Sequence, residues 1–165
     1  MNKVDLHVSP YVQDHYPQDF AWCYGCGYNN EAGLKFKTRW DGDETITEYV
    51  PRPEHIAIPG FVYGGLIASL IDCHSTGSAS LAFHRQNGHT LGDGTPVPRC
   101  VTAMLKVDFI RPTPHGETLS ARGRIVSLGE KKAVIATDLY AGETLVVKGE
   151  VVAVLAPETM TQKGR

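Results

Sequence analysis

The stretch that most constrains this chain is LIASLIDCHSTGSASLAF, residues 66–83. It follows a loop of prolines and glycines, PRPEHIAIPGFVYGG, and itself holds no proline and only one glycine, Gly77. On a helical wheel, Leu66, Ile67, Leu70, Ile71 and Leu81 fall on one arc. Gly65, Ala68, Ser69, Asp72, Ser75, Thr76, Ala79 and Ser80 fall on the opposite arc, which is built of small residues around a single carboxylate. A helix with that side in solvent would carry Lys and Glu there. Both faces are therefore expected to be covered, the second by something that approaches closely. The expected helix runs over roughly 62–84.

On either side of it the period changes to two. Leu34–Trp40 sets Leu34, Phe36, Thr38 and Trp40 against Lys35, Lys37 and Arg39, the pattern of a half-buried strand. Asp41-Gly42-Asp43 signals a turn, and Glu44–Val50 reads as the returning strand. After a polar Gly/Pro loop at 85–98, strands are expected at Arg99–Ile110, Glu117–Leu128, Lys132–Tyr140 and Thr144–Leu155. Their breaks, PTPHG, GEK and AGE, have the short spacing of an antiparallel meander. One long helix among such strands predicts an α+β fold, a curved antiparallel sheet wrapped around the helix. Residues 1–33 read as an irregular arm packed on a domain at 34–156, and 157–165 as a frayed tail.

Composition narrows the function. Lys plus Arg number 16 against 18 for Asp plus Glu, a net charge of -2, so no positive field favours nucleic acid or an anionic membrane. No apolar run reaches the roughly 18 residues that span a bilayer. The opening MNKVDLHVSPYVQDHYPQDF lacks an apolar core behind a basic start, so a cytoplasmic protein is expected. Cys23-x-x-Cys26 offers two ligands where a structural zinc needs four, and no second C-x-x-C or H-x-x-x-H follows. Cys73 and Cys100 stand isolated, and the pair sits in a Gly/Asn loop, so a packed loop without metal is the expectation. There is no G-x-S-x-G elbow, phosphate loop or G-x-G-x-x-G.

PGFVYGGLIASLID resembles the motif of the PaaI-type acyl-CoA thioesterases of the hotdog fold, P-G-x-x-H-G-G with an acidic residue seven positions after the second Gly. The matching residues are Pro59, Gly60, Gly64, Gly65 and Asp72. VTAMLKVDFIRP is similar to the family strand that begins at Thr or Ser and ends in Arg-Pro. CYGCGYNNEAGLKF is similar to a C-x-x-C-G-x-x-N-x-x-G-L segment of some members. The likeness covers about residues 23–156. One position departs from it: Tyr63 stands where the family has His.

This resemblance implies a hotdog fold, hydrolysis of an acyl-CoA substrate without cofactor, and a homodimer or dimer of dimers. Thioester hydrolysis needs donors for the oxyanion and a group that activates water or attacks the carbonyl. Gly64 and Gly65 lie where helix N–H groups lack intrahelical partners, and Asp72 is the carboxylate, as base or nucleophile. The bland alternatives are a tightly packed helix start and a carboxylate that caps a loop or pairs with Arg. Helix rise separates Asp72 from the Gly pair by roughly 11–12 Å, too far to share one carbonyl. A second, antiparallel copy of the helix could bring Gly65 of one chain beside Asp72 of the other.

Thr102 matches the position of a Thr or Ser that could hold the attacking water, or is an ordinary β-former. His55, Tyr63 and Gly60, in the approach loop, are candidates to touch the substrate. Arg111, Lys131 and Lys132 could meet the CoA phosphates or be solvated strand ends. Trp22, Tyr24 and Tyr28 could cover an aryl or medium-chain acyl pocket, or seal the core. The rival readings are a non-catalytic acyl-CoA binder, favoured by Tyr63, and a hotdog dehydratase, which would pair Asp72 with a His.

Overall fold

The computed structural model describes residues 7–160. Its centre is helix α1, Gly64–Gln86, which begins after Tyr63. It stops where Asn87 and Gly88 leave the helix, Gly88 in the left-handed region at φ 82°. From Cys73 to His84 every helix residue is buried, so both arcs are indeed covered, and in this half by the chain itself.

Six strands surround it: β1 Thr38–Asp41, β2 Glu44–Tyr49, β3 Cys100–Phe109, β4 Leu119–Leu128, β5 Lys132–Ala141 and β6 Thr144–Leu155. They form one antiparallel sheet in the order β1-β2-β4-β5-β6-β3. The sheet curls around α1, and two glycines let it come close. A Cβ on Gly149 would sit 2.5 Å from Cγ2 of Ile71, and one on Gly123 2.5 Å from Nε2 of His74. Several polar groups on this seam pair across it. Thr47 bonds Nδ1 of the buried His74 at 2.8 Å, Thr45 bonds Ser78 at 2.6 Å, and Ser75 bonds Thr137 at 3.2 Å. Burial pushes His74 down to about 3, so the ring is neutral in the core.

The arm supplies the other cover. Val12, Tyr16, Ala21 and Cys26 join the core, and two short 3-10 helices, Val12–His15 and Gln18–Phe20, carry the chain across α1. The Gln13 side chain donates to Thr38 Oγ1 at 3.0 Å and accepts the Thr38 N–H at 2.7 Å. A Cβ on Gly77 would be 2.7 Å from that Gln13 amide, so the helix glycine makes room for the arm. Residues 1–6 of the arm and 161–165 of the expected tail lie outside the described residues; Glu158–Met160 forms a 3-10 turn.

The first strand is shorter than its alternation predicts. Leu34 and Phe36 are buried as expected, but Lys35 has φ 62° and breaks the extended chain. The Leu34 and Phe36 N–H groups instead bond the carbonyls of Tyr24 and Gly25 in the arm. Lys35 Nζ donates to the Gly27 and Tyr28 carbonyls, 3.1 Å each.

Candidate active site

The N-terminal turn of α1 stands beside β3. Tyr63 makes no side-chain cap, and the first helical bond runs from the Leu66 N–H to the Tyr63 carbonyl. The Gly64 and Gly65 N–H groups thus project from the helix end without intrahelical acceptors. Along the stripe Gly64, Gly65, Ala68, Ser69 and Asp72 the helix is only half-buried, in contrast to its enclosed second half.

Asp72 ends this stripe. Thr102 Oγ1, on β3, donates a hydrogen bond to Asp72 Oδ1. Among the described residues, the other carboxylate oxygen takes no hydrogen bond. The bulge at Ala103, between the Thr102–Ala153 and Met104–Val152 pairs, adjusts the strand at this point. His74, two residues on, faces Thr47 across the helix and is no partner for Asp72.

Two cavities flank the helix end. One, of about 300 Å³, is lined by Tyr24, Leu34, His55, Tyr63, Gly65, Leu66 and Ser69. The other, about 490 Å³ and mostly apolar, is lined by residues including Ile58, Phe61, Gly64, Ile67, Phe109 and Arg111. The Tyr63 ring lies against Gly65, where any Cβ would run into it. His55 Nδ1 accepts the Arg52 N–H at 3.0 Å; burial first, then the Arg52 charge, hold this imidazole below its ordinary value and so neutral. Gly60 lines neither cavity. It sits at φ 92° after Pro59, with the Phe61 N–H closing on the Ile58 carbonyl at 2.8 Å, a type II turn that only a residue like Gly fits easily.

The structure thus gathers Asp72 with Thr102, and His55 and Tyr63 with Gly65. It does not gather the candidate phosphate cations. Arg111 follows the Phe109 end of β3, whereas Lys131, in the β4–β5 turn, and Lys132, opening β5, lie at the Cys100 end. The length of β3 separates them, roughly 30 Å at the rise of a strand. Of the arm aromatics, Tyr24 lines a cavity, while Trp22 is exposed and Tyr28 donates to the Tyr16 carbonyl at 3.1 Å. Ser69 and Phe109 are cavity residues that the sequence did not single out. Ser69 was one helical turn from Gly65, the signal that could have found it.

Cys73 is not isolated either. Cys23, Cys26 and Cys73 place their sulfurs within 4.8 Å of one another, with Cys23 and Cys73 3.9 Å apart. Hydrogen bonds from the Cys26 and Cys73 thiols, and then from the Cys26 and Gly25 N–H groups, hold Cys23 far below the usual thiol value. Donation to Cys23 pushes Cys26 up to about 12.

With this geometry in place, comparison with known proteins defines the class. The sheet curled around one helix is the hotdog fold. It is shared with the E. coli PaaI protein from the phenylacetic acid degradation operon, at 16% identity over 79% of this chain and 88% of that one, TM-score 0.62. A protein of Streptococcus mutans UA159, smu.793, solved with acetyl CoA bound, matches at 19% identity over 73% of this chain and 88% of that one, TM-score 0.59. A thioesterase superfamily protein from Shewanella loihica PV-4 is 46% identical over 74% of this chain and 91% of that one, TM-score 0.62. No curated protein matches. Residues 59–148 match the thioesterase superfamily, and the chain belongs to that family.

Among the described residues no helix is long and apolar enough to cross a membrane.

Proposed function

We propose that this protein is a cytoplasmic acyl-CoA thioesterase that releases free acid and CoA, with residues 34–156 as the catalytic unit under the arm at 1–33. The observation that carries the reading is the half-exposed Asp72 carboxylate, held by Thr102 on an exposed strand and about two helical turns from the helix-end N–H groups. Asp72 activates water, or attacks as nucleophile, and Thr102 holds the carboxylate and the incoming water. The N–H of Gly64 or Gly65 polarises the thioester carbonyl. No metal or nucleotide takes part in the reaction.

The roughly 11 Å between Gly65 and Asp72 on one helix requires the two groups that meet one carbonyl to come from two chains. Strand β3 fits that need. It is one of the two sheet edges, and Met104, Leu105, Phe109 and Ile110 on and beyond it are exposed apolar residues that water does not favour. Antiparallel pairing of β3 with a second copy would join two sheets. It would also bring Lys131 and Lys132 of the second copy toward Arg111 of the first, restoring one cationic patch for the CoA phosphates. The product is a homodimer, alone or as half of a dimer of dimers. The bound acetyl CoA of smu.793 supports a CoA ester as ligand. Tyr24, Tyr63 and His55 around the smaller cavity favour an aryl or medium-chain acyl group.

A second reading, an acyl-CoA binder without turnover, draws on Tyr63, whose ring covers Gly65 where the resembling family has His. Incubation with aryl, short, medium and long acyl-CoAs separates the two. Free CoA appearing over many turnovers supports the thioesterase; tight saturable binding with no CoA released supports the binder. A dehydratase is disfavoured because no His shares Asp72's surroundings.

A further inference from the structure

The three-thiol cluster lies outside the proposed chemistry, and its construction is specific. The arm loop Cys23-Tyr24-Gly25-Cys26 turns over Tyr24–Cys26 and brings two of the three sulfurs together. Gly27 closes the loop, its N–H bonding the Cys23 carbonyl at 2.7 Å; a Cβ there would lie 2.5 Å from the Ala21 carbonyl oxygen. Gly25 is held against Cys73 so closely that a Cβ would overlap its sulfur. The loop is thereby docked on α1 with three sulfurs converging.

A disulfide needs sulfurs about 2.05 Å apart, and the Cys23–Cys73 distance of 3.9 Å is far longer. It matches instead the edge of a tetrahedron of thiolates around zinc, which at a Zn–S bond of about 2.3 Å is about 3.8 Å. Charge is accommodated too. Three thiolates around Zn²⁺ carry net −1, and the Arg99 guanidinium, stacked 4.7 Å over the Tyr16 ring, interacts electrostatically with all three cysteines. Cys26 and Cys73 are buried and Cys23 half-exposed, so the side toward solvent is where a water would complete the shell.

We propose that Cys23, Cys26 and Cys73 form a zinc site with three thiolate ligands and one water, which fastens the Tyr24-bearing arm loop to α1 one residue beyond Asp72. Binding transfers the thiol protons to solvent as the ion enters, so affinity rises with pH. Water supplies the fourth ligand that the three cysteines do not, and the ion tethers the arm loop to α1.

The test uses the full chain, reduced and freed of metal by a chelator, then titrated anaerobically with Co²⁺ alone. The expected result is one Co²⁺ per chain with a near-ultraviolet thiolate-to-cobalt charge-transfer band, bleached by added Zn²⁺. Zinc should also be retained through gel filtration. Cys73→Ser should lose the band, and Cys100→Ser, which removes a thiol outside the cluster, should keep it. Three outcomes would overturn the proposal. They are wild-type protein that shows no thiolate band and keeps no zinc, a Cys73→Ser protein that binds as the wild type does, and isolated protein whose mass shows two cluster thiols joined as a disulfide. None of these readouts depends on thioesterase activity.

Discussion

Asp72 and Thr102 meet from a helix and a strand thirty residues apart in sequence. A hydroxyl donated to a carboxylate is worth about 1.5–3 kcal/mol. If it holds Asp72 for attack, Thr102→Val should lower kcat by about 10-fold or more, while Thr102→Ser keeps most activity. Steady-state kinetics on the best CoA ester checks both. His74 allows a prediction on stability. Its folded pKa of about 3 lies below the ordinary 6.5, so below pH 6.5 the unfolded chain takes a proton that the core refuses. Stability is complete above 6.5 and falls as pH drops toward 3. Urea unfolding should show about 2 kcal/mol lost at pH 5 relative to pH 7.5 from this group. His74→Gln should flatten that dependence; an unchanged slope would remove His74 as its cause.

At the scale of elements, the seam between α1 and the sheet depends on absent side chains. Gly149→Ala places a methyl 2.5 Å from Ile71 Cγ2, and neither strand nor helix can step aside freely. It should cost about 1–3 kcal/mol, read as a lowered denaturation midpoint with unchanged m. The periods of two and 3.6 showed these elements clearly. β6 runs Thr144–Leu155 as expected, and α1 begins two residues later and ends two later than its pattern. The miss at Leu34–Lys37 has a physical source: alternation reports which side chains are buried, not where backbone hydrogen bonds go. Leu34 and Phe36 are buried, yet their N–H groups pair with the arm. Cys73 was illegible as a cluster member for a related reason, since linear spacing is blind to a loop folded back fifty residues later onto a helix. The helix pattern put Asp72 and the glycines on one element, but only the resemblance to the thioesterase motif singled them out as a candidate site.

Of the sheet's two edges, β1 and β3, it is β3 that carries exposed large apolar residues. β3 is exposed along most of its length, with Phe109 55% and Leu105 40% accessible. Sedimentation at micromolar concentration should show a species of twice 18.0 kDa, or four times. Leu105→Arg, placing a charge on that edge, should shift it toward the single chain and lower activity with it, because the site needs two copies. A wild-type protein that sediments only as one chain would remove the shared site.

The central claim is tested most directly by CoA release from a panel of acyl-CoAs, comparing wild type with Asp72→Ala and reading products by chromatography, since four cysteines disturb thiol dyes. Turnover by wild type with a loss of about 100-fold or more in the variant is the predicted result. Turnover that survives Asp72→Ala unchanged would contradict the assignment of the carboxylate, and a folded dimer that releases no CoA from any ester would contradict the enzyme.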